Sequence, residues 1–67
     1  MREIDARGLS CPEPLMLAHD AIAKNELPAK ILVDEGFQKT NIEKMAKTSG
    51  KKTTVKECGT HFEVVVE

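Results

Sequence analysis

The residue of this chain with the greatest capacity for chemistry is Cys11, in the segment "GLSCPEPLML". Two of the three prolines, Pro12 and Pro14, follow it within three positions. A cysteine in such a setting has four possible roles: a buried packing residue, half of a disulfide, a metal ligand or a reactive nucleophile. The neighbouring residues and the rest of the chain discriminate between these roles.

Disulfide and metal-binding roles have little support in the sequence. The chain has one other cysteine, Cys58, and two histidines, His19 and His61. Two cysteines do not make a disulfide framework, and the charged start "MREIDARG" does not resemble a signal peptide. The four residues also lack the C-x-x-C and H-x-x-x-H spacings common in zinc sites. We therefore expect reduced thiols in the cytosol, no metal and no cofactor.

The two prolines predict that a helix begins directly after Cys11. At the first helical position the missing N–H of a proline loses no hydrogen bond, and Pro12 is expected there. Pro14 falls in the same first turn, where N–H groups have no partner within the helix. The N–H of Glu13 is then expected to stay free and to point toward the sulfur. This arrangement predicts an exposed thiol on a stiff turn.

The predicted position of Cys11 bears on its reactivity. The helix dipole stabilises a thiolate at a helix N-terminus, whereas the carboxylate of Glu13 disfavours a second negative charge nearby. We expect a moderately activated thiol, and a Glu13 that chiefly favours the start of the helix. A plain structural cysteine at a helix start fits the same residues, so both interpretations of Cys11 stay open.

The other candidate residues each have a structural interpretation. Cys58 precedes a glycine at a strand end and is expected to be a structural thiol, or a resolving thiol if it lies near Cys11. His19 follows Cys11 by eight residues, more than two helical turns, so we expect it to face solvent rather than act as a base. His61 is expected to be structural. Asp5 is expected to accept hydrogen bonds in a turn or to orient the Cys11 loop.

Hydrophobic periodicity predicts two helices and four strands. The helices should cover residues 12 to about 25 and 42 to about 48, the second capped by Thr40 or Asn41. Leu15, Ala18 and Ile22 share the buried stripe of the first helix, and "EGFQKTN" is expected to be a loop. The predicted strands are "REIDA", "KILVDE", "TTVKE" and "HFEVVVE", the last two joined by a hairpin through "CGT".

This element order, β-α-β-α-β-β, predicts an α/β two-layer sandwich. A strand-helix-strand unit favours a parallel pair, and the closing hairpin adds an antiparallel pair, which together make a mixed four-stranded sheet. Both helices should lie on one face, because so short a chain cannot cover two faces. We expect one domain over residues 1–67.

Composition excludes several classes of function. The formal net charge is -1, from ten basic and eleven acidic residues, and the chain has no Trp or Tyr and two Phe. A nucleic-acid-binding surface would need a basic face or aromatic stacking platforms, so no direct nucleic-acid contact is expected. No apolar run approaches the ~20 residues of a membrane-spanning helix, so no membrane partner is expected either.

The segment "DARGLSCPEPLM" resembles the motif of the TusA/SirA family of small sulfur-carrier proteins. That motif has an acid, then Gly-Leu, one residue, and Cys-Pro-x-Pro at a helix start. The matching residues here are Asp5, Gly8, Leu9, Cys11, Pro12, Glu13 and Pro14. The segment "ILVDEG…NIEKMAKTSG" is similar to the TusA-type domain of YedF-like proteins, which are associated with selenium metabolism. TusA proper tends to be basic just after this helix start, whereas the corresponding run here, "LAHDAIAKNE", has His19 and Asp20, which favours a sulfur or selenium pathway other than tRNA thiolation.

The resemblance implies a sulfurtransferase-like carrier. Cys11 would take sulfane sulfur from a cysteine desulfurase or another persulfide donor protein, hold it as a persulfide, and pass it to a downstream acceptor protein. Such a carrier needs no cofactor or metal. Two alternatives stay open: a non-catalytic interaction or regulatory module, and a thiol redox protein that uses both Cys11 and Cys58.

Overall fold

A computed structural model describes residues 1–67. Two helices and four strands follow one another in the predicted order, β-α-β-α-β-β. Neither helix has the length and hydropathy needed to cross a bilayer. The elements are β1 (Arg2–Asp5), α1 (Glu13–Ala23), β2 (Ala29–Val33), α2 (Gly36–Thr48), β3 (Thr53–Glu57) and β4 (Phe62–Val66).

The four strands form one mixed sheet in the order β1-β2-β4-β3. β1 runs parallel to β2, whereas β4 is antiparallel to both of its neighbours. The apolar run of β2 lies in the interior of the sheet, where its residues pair on both sides: Ile31 pairs with Ile4 of β1 and with Val64 of β4. The predicted two-layer α/β sandwich with a mixed sheet is confirmed.

The core lies between the sheet and both helices, as predicted. Ile31 and Val64 are fully buried on the sheet, and Ala18 of α1 and Ile42 of α2 cover them. Alternation along β2 directs every second side chain to this face. Small alanines on the helices let the backbone come close to the strands. Burying a side chain such as Ile31 contributes about 1.5–3 kcal/mol.

The second helix begins six residues earlier than predicted, at Gly36 rather than Ile42. In the segment "EGFQKTN" Glu35 is the cap residue and the rest is helical, because Glu35 and Gln38 form a reciprocal capping box. The Gln38 Oε1 accepts the Glu35 backbone N–H at 3.2 Å. Thr40 is not a cap, since its hydroxyl donates to the Gly36 carbonyl within the helix at 3.0 Å. The predicted loop and the predicted cap at Thr40 or Asn41 are therefore wrong.

The first helix also differs from the prediction at both of its ends. Its first helical residue is Glu13, and Pro12 occupies the cap position, one residue before the predicted place. The helix ends at Ala23, and Asn25 adopts a positive φ of 56° in the following turn. A left-handed residue such as this one interrupts the helical hydrogen-bond series, which explains the shorter helix.

Candidate active-site cysteine and the loop that holds it

Cys11 lies exposed in the loop between β1 and α1, directly before the cap residue Pro12. Because β1 and β2 are parallel, the loops that follow them leave the same end of the sheet. The start of α1 and the start of α2 are therefore neighbours. This arrangement allows residues that follow β2 to hold the loop that carries the thiol.

Two side chains from the β2–α2 segment bind the backbone of the Cys11 loop. The Asp34 carboxylate accepts the N–H of Gly8, which has a positive φ of 80°. The Gln38 side-chain amide donates to the carbonyl of Leu9 at 3.0 Å. Gln38 is only 5% exposed, and its amide oxygen is also bonded through the capping box. These two bonds fix the backbone at Gly8 and Leu9, three and two residues before Cys11.

Sequence reasoning singled out neither Asp34 nor Gln38. Each had a weak local signal: an acid directly after a buried strand, and a glutamine three residues after a possible cap. Their partners Gly8 and Leu9 were among the predicted site residues, and the structure shows what holds them. The two contacts span 26 and 29 residues of chain, so a local pattern does not reveal them.

Asp5 ends β1 and acts on the turn that begins the loop. Its carboxylate accepts the Arg7 backbone N–H at 3.1 Å and binds the Arg7 guanidinium at 2.9 and 2.8 Å. The hydrogen bonds from Arg7 lower the pKa of Asp5 to about 2. This geometry matches the predicted turn acceptor. The hydrogen bonds of the Asp5 carboxylate all go to Arg7. Any effect of Asp5 on Cys11 therefore acts through this turn.

The first turn of α1 differs from the prediction in one hydrogen bond. The N–H of Glu13 is not free: it donates to the Ser10 carbonyl at 2.8 Å. This bond closes a tight turn around Cys11 and Pro12, which the sequence pattern does not reveal. Pro14 is buried against the core, so it anchors the helix start in addition to lacking an N–H. Glu13 itself is exposed.

The thiol of Cys11 has no imidazole bonded to it. His19 is an exposed side chain on α1, and His61 contacts Thr60 and Glu63 on the β3–β4 hairpin. A shallow depression lies beside the loop, and Met16, which lines it, is 62% exposed. The depression is lined by Leu9, Glu13, Met16, Leu17 and Asp20. An open surface of this kind suits contact with another protein better than enclosure of a small substrate.

The second cysteine has a different environment. Cys58 is a free thiol, half-buried on the β3–β4 hairpin. Burial, followed by the neighbouring Glu63 carboxylate, raises the pKa of the Cys58 thiol. The neighbouring Cys58 thiol is in turn the main cause that lowers the pKa of Glu63. Cys58, His61 and Glu63 are the residues whose donor atoms could hold a metal ion, because these atoms lie within 4.8 Å of one another.

Comparison with known proteins gives two matches across the chain. The family model described as sulfurtransferase TusA matches residues 2–67. A SirA-like protein from Desulfitobacterium hafniense, known from its crystal structure, is 30% identical over 98% of this chain and 95% of that chain, with a TM-score of 0.89. No curated protein matches the chain. Both matches include the β1–α1 loop and the elements that hold it.

Proposed function

The chain belongs to the TusA family of sulfurtransferases, and on that premise we propose that it relays sulfane sulfur between proteins as a persulfide on Cys11. One observation carries the proposal: the exposed Cys11 stands on a loop whose backbone is held from a second element by Asp34 and Gln38. A carrier needs one accessible nucleophile in a fixed position, and an exposed cysteine on a held loop supports that role.

Loading is a thiol exchange in which electrons balance without an external oxidant. The Cys11 thiolate attacks the outer sulfur of a persulfide on the donor protein. A new S–S bond forms at Cys11, the S–S bond of the donor breaks, and the donor cysteine leaves as a thiolate. Cys11 then carries one sulfane sulfur. In unloading, a nucleophile of the acceptor attacks this outer sulfur, and Cys11 leaves as the thiolate that began the cycle.

The residues around Cys11 support this role by positioning. Gly8 and Leu9 provide the backbone groups by which Asp34 and Gln38 hold the loop. Pro12 and Pro14 restrict the backbone on the other side of the thiol. Asp5 orders the turn at the end of β1, and Glu13 places a carboxylate at the first turn of α1. Cys11 is the one residue assigned a catalytic role.

The partners are proteins, and the depression beside the β1–α1 loop is the surface they would contact. Leu9, Met16 and Leu17 supply its apolar part, while Glu13 and Asp20 give it acidic groups. The donor is a cysteine desulfurase or another protein with a persulfide, and the acceptor is a downstream sulfur-accepting protein. The exchange takes place in the cytosol, where thiols stay reduced. The similarity of "ILVDEG…NIEKMAKTSG" to YedF-like proteins favours a pathway linked to selenium metabolism.

Intact-mass measurement tests the proposal. The wild type, Cys11→Ser and Cys58→Ser are incubated with a cysteine desulfurase and cysteine, and separately with a low-molecular-weight persulfide. We expect a reducible gain of one sulfur, ~32 Da, that is absent only from Cys11→Ser. Loading that requires both cysteines would favour a two-thiol redox protein. A wild type that loads from neither donor would overturn the carrier and favour an interaction or regulatory module.

A further inference from the structure

The β3–β4 hairpin brings three potential metal ligands to one face of the sheet. Cys58 and His61 flank its two-residue tip, and the Cys58 N–H donates to the His61 carbonyl at 2.9 Å. Residues that flank such a tip lie opposite each other with side chains on the same face. Glu63 follows His61 by two residues and so points the same way. This is the face opposite the core, since the adjacent Val64 is fully buried beneath the helices.

The distances between the donor atoms are close to those of a metal site. The Sγ of Cys58, an imidazole nitrogen of His61 and a carboxylate oxygen of Glu63 all lie within 4.8 Å of one another. The His61 Nε2 is 3.9 Å from the Glu63 Oε2. Ligand atoms around a tetrahedral zinc ion lie about 3.3–3.8 Å apart, given zinc–ligand bonds of about 2.0–2.3 Å. Small side-chain rotations would close the remaining gap.

The surroundings orient these ligands. The hydroxyl of Thr60 lies 3.5 Å from the Nδ1 of His61, so the Nε2 is the nitrogen turned toward Glu63. Lys30 lies 3.6 Å from the Glu63 Oε1, which leaves Oε2 for the site. His61 and Glu63 are half-buried, with side chains 16% and 22% exposed. Partial burial limits the competition from water that weakens surface sites.

We propose that Cys58, His61 and Glu63 form a three-ligand site for a divalent transition-metal ion of the zinc type. Thiolate, imidazole and carboxylate are the ligands that zinc accepts, and the two anionic groups balance the charge of the ion. A fourth position stays open for water. Lys30 and Lys56 are the nearby cations and weaken the site by repulsion. The spacing, C-x-x-H-x-E, differs from the zinc spacings sought in the sequence.

This site is independent of the sulfur-carrier proposal, because it uses none of the residues that hold Cys11. It also gives Cys58 a role other than resolving a disulfide. With the metal bound, the Cys58 thiolate is occupied, and Cys11 is the one thiol free for exchange.

Cobalt(II) titration tests the site with a direct spectroscopic readout. The full chain, reduced and free of metal, is titrated with Co²⁺, and thiolate-to-cobalt charge transfer is followed in the near ultraviolet. We expect saturation at one equivalent, and full displacement of the signal by Zn²⁺. Cys58→Ser should abolish the charge-transfer band. His61→Ala and Glu63→Gln should weaken binding by more than about 100-fold, and Thr60→Ala, which removes an outer contact, by about tenfold.

Matched controls exist within the chain. Cys11→Ser removes the other thiol, and His19→Ala removes the other imidazole, and both should bind Co²⁺ as the wild type does. Thermal unfolding with and without Zn²⁺ separates lost binding from lost folding, since bound metal raises the Tm only of variants that retain the site. A band that survives Cys58→Ser and disappears in Cys11→Ser would overturn the proposal. So would a wild type without saturable binding.

Discussion

Gln38 donates its side-chain amide to the carbonyl of Leu9 at 3.0 Å, which connects the start of the second helix to the loop that carries Cys11. The same side chain accepts the N–H of Glu35, so one residue caps α2 and holds the loop. The position of the Cys11 loop therefore depends on whether α2 begins at Gly36. Folding of the second helix and presentation of the thiol are coupled.

Gln38→Ala removes both of these hydrogen bonds. We expect the free energy of unfolding to fall by about 1–3 kcal/mol, because Gln38 is buried and the Leu9 carbonyl and Glu35 N–H lose their partner. Urea denaturation measures the change. Asn41→Ala, in the same helix, is the matched control and should have a smaller effect. Equal stability of Gln38→Ala and the wild type would show that the two bonds contribute nothing.

Asp34→Ala releases the N–H of Gly8 without altering the helix. We expect the Gly8 amide to exchange with solvent faster, by roughly tenfold or more, since a hydrogen bond to a charged acceptor contributes about 1.5–3 kcal/mol. Hydrogen exchange followed by NMR measures this amide directly. Asp20→Ala removes a carboxylate from the exposed face of α1 and should leave the Gly8 amide unchanged. If the Gly8 amide exchanged at the same rate in Asp34→Ala and Asp20→Ala, the role given to Asp34 would be contradicted.

Asp5→Asn should remove a pH dependence of stability. The pKa of Asp5 is lowered in the folded chain to about 2 from an ordinary 3.8, so the ionised carboxylate stabilises the fold at higher pH. This contribution is fully present above the unfolded pKa and is lost as the pH falls toward the folded value. The stability difference between wild type and Asp5→Asn should be constant above about pH 5, should fall as the pH drops through about 2, and should disappear only near pH 1.

Urea denaturation at a series of pH values measures that difference. Glu13→Gln is a suitable comparison, since it removes an exposed carboxylate from the same region without touching Arg7. A difference between wild type and Asp5→Asn that persists unchanged to the lowest pH would mean that ionisation of Asp5 is not its source.

Glu63→Gln should increase the reactivity of Cys58. Burial and the neighbouring Glu63 carboxylate raise the pKa of the Cys58 thiol, so less thiolate is present at neutral pH. Removing the negative charge leaves burial as the main cause and lowers this pKa in part. Alkylation by iodoacetamide, measured by mass in a Cys11→Ser background with a chelator present, should be faster in Glu63→Gln. A slower or unchanged rate would show that the carboxylate does not protect the thiol.

The order of elements, the sheet and the helix start after Cys11 could all be predicted from the chain. These features depend on local patterns: alternating apolar residues in the strands, prolines at the first turn of α1, and Gly59, with its positive φ of 79°, at the hairpin tip. Local sequence patterns did not predict where α2 begins. A glutamate followed by a glycine did not look like a helix start, and it becomes one through the capping box that Glu35 forms with Gln38.

The proposal of Cys11 as the nucleophile likewise came from its neighbours in sequence, but the residues that hold or surround the thiols could not be predicted in that way. Asp34 and Gln38 reach the Cys11 loop only because parallel β1 and β2 bring their following loops to one end of the sheet. Cys58, His61 and Glu63 meet because the register of the hairpin puts them on one face. Periodicity along a chain specifies elements and their buried sides. Contacts across many residues, or across a hairpin, depend on strand pairing and register, which exist only once the sheet has formed.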